Sequence, residues 1–255
     1  EILLSTMAAS VVSDFTSSYI FGLSPVFQIS AAEKLPLSRY WMLILLGIFL
    51  GVFGVFYNKM TAVFQDFYDK LPVRAVRIAV PFLCVIGLAA LYPYALGSGH
   101  SLVAQIAEGR FALGMLALLL GVKFLFSMIS FGAGVPGGIF LPLLVLGAVC
   151  GGLFAQGMGG LCGYEDLYLA NFVIFGMAGL FSAIVRSPVT GVILITEMSG
   201  DFKNFLSLAA VALIAYLTAD ILNGKPVYDQ LLERMLEKGG SCGTTEESRG
   251  HKVLI

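Results

Sequence analysis

Apolar residues run along this chain in long blocks, at about 2–20, 40–57, 75–96, 111–131, 138–157, 168–185, 188–198 and 204–223. A straight membrane-spanning helix needs roughly 20 apolar residues, and several of these blocks are long enough. The block 188–198 is not: it is pinned between Pro188 and Gly200 and reaches only about half of a bilayer. Short, Gly- or Pro-interrupted helices in membrane proteins mark substrate sites, because broken backbone is tolerated there only around a buried site or a cavity. The pattern therefore predicts an all-α membrane protein with tilted and broken transmembrane helices.

Beyond the last block the pattern changes. Pro226–Lys238 mixes Tyr228, Leu231, Leu232, Met235 and Leu236 with Asp229, Glu233, Arg234, Glu237 and Lys238, which is the signature of an amphipathic helix. Gly239–Gly240 is expected to end it, and Ser241–Gly250 reads as a polar linker. The final Lys252-Val-Leu-Ile255 is apolar and β-branched, compatible with the first strand of a cytoplasmic regulatory domain. Two regions are thus expected, a membrane domain over 1–238 and a linker with the start of a further domain over 239–255.

Composition agrees with lipid as solvent. Of 255 residues, 58% are hydrophobic and 12% charged, with a mean hydropathy of +0.91; a soluble domain carries about twice that charge. The net charge of −1 comes without a basic patch, so nucleic acid is not an expected partner. The apolar residues 2–13 follow Glu1 directly, with no charged n-region or small-residue cleavage site before them. That argues against a signal peptide and suggests a segment of a longer protein. Cys84, Cys150, Cys162 and Cys242 are scattered, and those in apolar blocks read as small buried hydrophobes.

Charge placement suggests a topology. Lys59, Lys70, Arg74 and Arg77 cluster around the turn between the second and third blocks, Lys123 and Arg186 lie near other block ends, and Lys225, Arg234 and Lys238 follow the last one. The turns at Glu33–Lys34, Glu108–Arg110, Glu165–Asp166 and Asp201–Lys203 are acidic or balanced. The positive-inside rule then puts the 59–77 turn, Arg186 and the C-terminus on the cytoplasmic side.

The stretch richest in chemistry is Ser130-Phe-Gly-Ala-Gly-Val-Pro-Gly-Gly-Ile-Phe-Leu-Pro142. Gly132, Gly134, Gly137 and Gly138 disfavour a helix, and Pro136 bars continuation from the preceding block. A new helix is expected from about Ile139, with Pro142 in its first turn, where a missing N–H does no harm. The first amides of that helix lack intrahelical partners, and the positive end of the helix dipole lies behind them. Inside a membrane this makes a site for a small anion without a charged side chain. Close helix packing through Gly134–Gly138 is the plainer reading. Against packing alone stand four glycines and two prolines in the eleven residues from 132 to 142. No Gly-Lys-Ser/Thr follows, so it is not a phosphate loop.

These residues resemble a known family. Gly138-Ile-Phe-Leu-Pro142 matches the GxFxP signature of ClC-type chloride channels and chloride/proton exchangers, and Gly134-Val-Pro-Gly-Gly138 fits around it. Arg186-Ser-Pro-Val-Thr-Gly-Val-Ile-Leu-Ile-Thr-Glu-Met198 is similar to the family's segment leading into a short helix. Gly224-Lys-Pro-Val-Tyr228 is similar to the stretch that carries its anion-coordinating tyrosine. The resemblance, of prokaryotic type, covers about residues 2–238 and implies the second half of an inverted-repeat ClC-type transporter.

It further implies that chloride is held by the backbone amides of Ile139 and Phe140 and by the hydroxyl of Tyr228, with Gly138 keeping the approach open. Neutral donors of this kind replace part of an ion's hydration shell without binding it too tightly to leave. The implied protein is a multi-pass cell-membrane channel or antiporter for chloride, with protons as a second cargo in the exchangers. It is not an enzyme, needs no cofactor, and works in the lipid bilayer as a homodimer with a pore in each subunit. The family's serine-bearing Gly-Ser-Gly-Ile-Pro and its gating-glutamate motif do not occur here. Gly132-Ala-Gly-Val-Pro136 echoes the former with Ala133 in place of serine, and the internal proton-relay glutamate would precede Glu1.

Related transport of fluoride or nitrate, or cation-coupled solute transport, is the alternative. An intramembrane enzyme would need paired aspartates or a serine–histidine pair, which the apolar blocks do not offer. Glu197 and Asp220 stand out as carboxylates in or beside apolar blocks; Glu197 is expected at an interface and Asp220 paired with Lys225. Asp14 fits a subunit-interface or capping role, and Lys123 can snorkel. His100 and His251 are expected in loops, and without HExxH or a third ligand no metal site is expected.

Overall fold

The computed structural model describes residues 2–22, 26–27, 29, 34–71, 73–91, 99–134, 137–162 and 168–240. Its ten α-helices are α1 (Ile2–Phe21), α2 (Tyr40–Asp69), α3 (Arg74–Leu91), α4 (His100–Ala107), α5 (Leu113–Gly132), α6 (Phe140–Cys162), α7 (Leu169–Val185), α8 (Pro188–Ser199), α9 (Phe205–Ile221) and α10 (Val227–Gly240). Among the described residues there is no strand, and the all-α expectation is borne out. Among the described residues three stretches, Leu37–Asp69, Leu113–Gly132 and Phe140–Gly160, are long and apolar enough to cross a membrane.

α7 is the axis of the bundle. Fifteen of its 17 residues are buried, as expected for a helix apolar on every face. It packs against α2, α6, α8 and α9, and the closest of these contacts is with α6. A Cβ on Gly147 would meet the Gly176 carbonyl oxygen at 2.6 Å and Met177 Cα at 2.7 Å, and one on Gly151 would collide with the backbone of Phe172. Gly147 and Gly151 are four residues apart, so they share one helix face, and Gly176 faces them from α7. Backbone thus lies on backbone, the small-residue contact that membrane helices use where lipid removes the hydrophobic drive to associate. As α6 advances from Gly147 to Gly151, its partners on α7 step back from Gly176 to Phe172. The two helices are antiparallel, and the head of α6 lies beside the end of α7.

α2 repeats the device. Cβ atoms on Gly47 and Gly51 would meet Ile214 at 2.6 Å and Thr218 at 2.5 Å on α9, and one on Gly54 would meet Ala183 of α7 at 2.6 Å. α8, the half-length element, has Pro188 in its first turn and a left-handed Gly200 (φ 66°) beyond its last, so both ends are set by residue type.

Four expectations need correction. α2 continues to Asp69, so Lys59 is helical and the turn into α3 is shorter than the predicted 59–77. The polar residues Asn58, Lys59 and Thr61 ended the apolar block, but helix propensity does not require apolar side chains. His100 opens α4, a short helix that the block pattern missed, and does not lie in a loop. Lys123 is buried in the middle of α5, not at a block end, and it has an interacting partner there. Gly239 and Gly240 belong to α10 and do not terminate it. The segment 241–255, with Cys242 and His251, lies outside the described residues, as do Glu1, Glu33 and Glu165–Asp166.

The glycine contacts yield a graded prediction. Gly151→Leu drives a side chain into α7 backbone and is expected to destabilise the protein by roughly 3 kcal/mol or more. Gly114→Ala, where a Cβ meets nothing within 4 Å, is expected to be neutral or stabilising by up to about 1 kcal/mol. Thermal melting of the intact protein in detergent checks both; equal effects would remove the backbone contact as the cause.

Candidate functional site

The break between α5 and α6 begins after Gly132, which is the last residue of α5. The chain turns at Gly134, whose φ of 69° is left-handed and costs glycine nothing. Val135 and Pro136 lie outside the described residues. The first i→i−4 bond at the head of α6 runs from the Leu143 N–H to the Ile139 C=O at 3.2 Å. Ile139 is therefore the N-cap, Phe140 the first helical residue, and Pro142 the third. Pro142 removes an N–H that would have had no helical partner, so its cost is nil.

Side chains anchor this turn and leave its amides to do chemistry. The Ile139 side chain is 7% exposed and belongs to the core. Phe140 meets Phe181 of α7 edge to face, with ring centroids 5.6 Å apart and planes at 83°. Gly138 is exposed, its φ is not left-handed, and a Cβ on it would find no atom within 4 Å. Neither conformation nor packing among the described residues demands a glycine there. Gly138 leaves open space beside the Ile139 and Phe140 amides, and the head of a helix, whose first N–H groups lack helical acceptors, favours an anion.

The contact between Phe140 and Phe181 places the head of α6 at the C-terminal end of α7. Arg186 follows α7 in the left-handed conformation (φ 66°), turning its side chain into the bundle, where it is 9% exposed. One guanidinium nitrogen donates to the Tyr216 carbonyl at 3.3 Å and to Asp220 Oδ1 at 3.2 Å. The other donates to the Ala219 carbonyl and, at 2.7 Å, to the Gly224 carbonyl. Arg186 thus braces the end of α9 and ties it to the turn into α10.

Tyr228 is the second residue of α10 and is 50% exposed. The fold brings it to the same end of the molecule as Gly138, Ile139 and Phe140, although among the described residues no hydrogen bond or ring stacking joins Tyr228 to the head of α6. α10 lies along the end of α2, where Arg234 donates to the Ala62 carbonyl at 2.9 Å and pairs with Asp66 and, at 3.5 Å, with Asp69. Arg77 binds Asp69 at 3.4 Å from the other side. The charged residues expected on one side of the membrane, Arg77, Arg186, Lys225 and Arg234, are therefore together in space.

Asp220 pairs with Arg186 and not with Lys225, which takes Glu233 at 2.8 Å. The reason is directional: the guanidinium arrives from α7 already fixed by three carbonyls, while Lys225 lies beyond the turn on the α10 side. Glu197 is exposed in the last turn of α8. Asp14 is exposed well inside α1, so it does not cap that helix. A cavity of about 460 Å³ lined by Gly109, Phe111, Gln156, Gly160 and Leu169 lies along the far end of α6. Its amide, from Gln156, already donates to the Phe111 carbonyl at 2.8 Å, and it is not part of this site. The carbonyl-binding roles of Asn58 and Arg186 were missed from sequence; an amide and a guanidinium flanking apolar blocks were the only signals.

The description "Voltage gated chloride channel" matches residues 1–220, a match that ends before Tyr228. The H(+)/Cl(-) exchange transporter ClcA of Vibrio parahaemolyticus serotype O3:K6 is 34% identical over 243 residues, covering 92% of this chain and 52% of the relative. The transporter of the same name from Yersinia pestis bv. Antiqua (strain Angola) is 32% identical over 233 residues, covering 89% and 49%. Among solved structures, a slow cyanobacterial Cl⁻/H⁺ antiporter superposes with a TM-score of 0.78 at 32% identity, over 87% of this chain and 53% of that one. A CLC-type fluoride/proton antiporter has the same fold, with a TM-score of 0.65 at 18% identity over 80% and 49%. The chain spans about half the length of the curated relatives it matches.

Arg186 and Asp220 are unequal partners, since Asp220 is 67% exposed. Asp220→Asn is expected to cost under about 1 kcal/mol. Arg186→Leu removes the buried guanidinium that ties the Tyr216, Ala219 and Gly224 carbonyls together and is expected to cost roughly 3 kcal/mol or more. Melting of the two variants checks this, and a larger loss from Asp220→Asn would reverse the assignment.

Proposed function

The chain belongs to the voltage-gated chloride channel family, and from that premise we propose that it forms the second half of the membrane domain of a chloride/proton exchange transporter. The observation that carries the proposal is the head of α6. Two amides, of Ile139 and Phe140, precede its first helical bond, beside a glycine that nothing in the described fold requires. In the proposed mechanism a chloride ion loses part of its water to these amides and to the hydroxyl of Tyr228. It gains the positive end of the α6 dipole and meets no formal positive charge that would hold it. The relatives named above are H(+)/Cl(-) exchange transporters, which favours exchange with protons over a passive channel.

The same reading makes residues 1–238 one half of an inverted repeat, working in the bilayer as a homodimer with one pathway per subunit. The end bearing Arg77, Arg186, Arg234 and α10 faces the cytoplasm, as the positive-inside rule requires, and 239–255 leads toward a cytoplasmic domain. No cofactor enters this mechanism; chloride is cargo.

The test uses the intact protein. Calorimetric titration is expected to detect chloride binding, and Gly138→Ala and Tyr228→Phe are each expected to weaken it by about tenfold, the worth of one neutral hydrogen bond or its obstruction. Gly138→Ala should leave the melting temperature unchanged, because its Cβ meets no described atom. In liposomes, chloride efflux should be accompanied by proton movement in the opposite direction. Unchanged chloride affinity in both variants would refute the site, and efflux without proton movement would refute exchange.

A further inference from the structure

We propose that Asn58 is a positioning residue that sets the placement of Tyr228. Asn58 is on α2, far in sequence from either half of the site, and its side chain is 2% exposed. Both hydrogens of its amide are used, one on the Ile184 carbonyl at 3.1 Å and one on the Lys225 carbonyl at 2.9 Å.

Ile184 lies in the last turn of α7, which ends at Val185, so its carbonyl has no helical donor. Asn58 supplies the missing donor, so its amide plane is fixed against the end of α7. The second hydrogen then points at the turn between α9 and α10. That turn is held at consecutive carbonyls, Gly224 by Arg186 at 2.7 Å and Lys225 by Asn58. The turn also presses on α2 one helical turn earlier, where a Cβ on Gly224 would meet Val55 at 2.7 Å.

From Lys225 to Tyr228 the chain has little freedom. Pro226 fixes its own φ, Val227 is fully buried, and the Gln230 N–H already bonds the Pro226 carbonyl at 3.2 Å. Gln230 reaches back as well, its amide donating to the Lys225 carbonyl at 2.9 Å. Movement of the Lys225 carbonyl therefore moves the first turn of α10, and Tyr228 with it. The Phe140–Phe181 contact ties the head of α6 to the end of α7. Asn58 ties the approach to Tyr228 to the same end of α7, so both parts of the proposed anion shell share one reference.

The inference rests on the anion-site reading above, and the experiment separates the two. Chloride titration of the intact protein is run on Tyr228→Phe, Asn58→Leu and the double variant. Asn58→Leu removes both donors at similar volume and is expected to weaken chloride by about tenfold. The double variant is expected to bind no more weakly than the weaker single one, because Asn58 acts through the Tyr228 hydroxyl. Asn58→Gln keeps the donors and is expected to restore most of the affinity. Should Asn58→Leu fail to fold, Asn58→Ser, with a single donor, is expected to weaken binding by about threefold, an effect that vanishes beside Tyr228→Phe. A lower melting temperature with unchanged affinity, or losses that multiply in the double variant, would overturn the positioning role. Unchanged affinity in Tyr228→Phe itself would remove Tyr228 from the site, and the positioning role with it, while a loss in Gly138→Ala would still leave the α6 amides as the site.

Discussion

The crossing of α6 and α7 at Gly147, Gly151 and Gly176 is the constraint from which the rest of the arrangement follows. Where backbones touch, register cannot slide: a shift along the helix by one residue would bring a side chain into a space that holds none. The antiparallel register then decides which end of α7 the head of α6 meets. Because α7 is buried on nearly every face, it passes that reference on to α2, α8 and α9. A bilayer offers no hydrophobic reward for helix association, so contacts of this kind and a few satisfied polar groups must hold such a bundle together.

Much of this was legible in the residues. All eight apolar blocks return as helices, seven of them with ends shifted by a few residues, and the short block 188–198 returns as α8 because Pro188 and Gly200 mark its ends whatever surrounds it. The block 40–57 was cut too short. Asn58, Lys59 and Thr61 look like the end of a membrane helix, yet Asn58 and Thr61 are buried polar residues of α2. α4 leaves no trace in the pattern, since its eight residues show no block of their own and His100 reads as a loop residue.

The break before α6 was legible in outline, from glycine and proline alone, because those two residues act on their own backbone. Pairings across the fold were not. Asp220 was assigned to Lys225, five residues on, and belongs to Arg186, whose side chain reaches it only because the left-handed turn after α7 aims it inward. Asn58 carries no signal as a carbonyl ligand beyond an amide side chain at the end of an apolar block. Its role follows from the end of α7, where the Ile184 carbonyl has no helical donor, and from the fold that sets α2 beside it.

That arrangement also bears on why neutral groups suffice at the proposed site. A bare guanidinium near a partly dehydrated anion would attract it strongly in a poorly screened interior, and a tightly held ion is a slow one. Arg186 is the cation nearest in the chain to the Phe181–Phe140 contact, but both its terminal nitrogens are engaged, by the carbonyls of Tyr216, Ala219 and Gly224 and by Asp220. Its charge is thereby directed into structure, fixing the turn that leads to Tyr228, and not toward the head of α6. What remains for the anion is a helix end and a hydroxyl, each weak enough to release it. The same carbonyl ligation that rigidifies the turn keeps the site from becoming a trap.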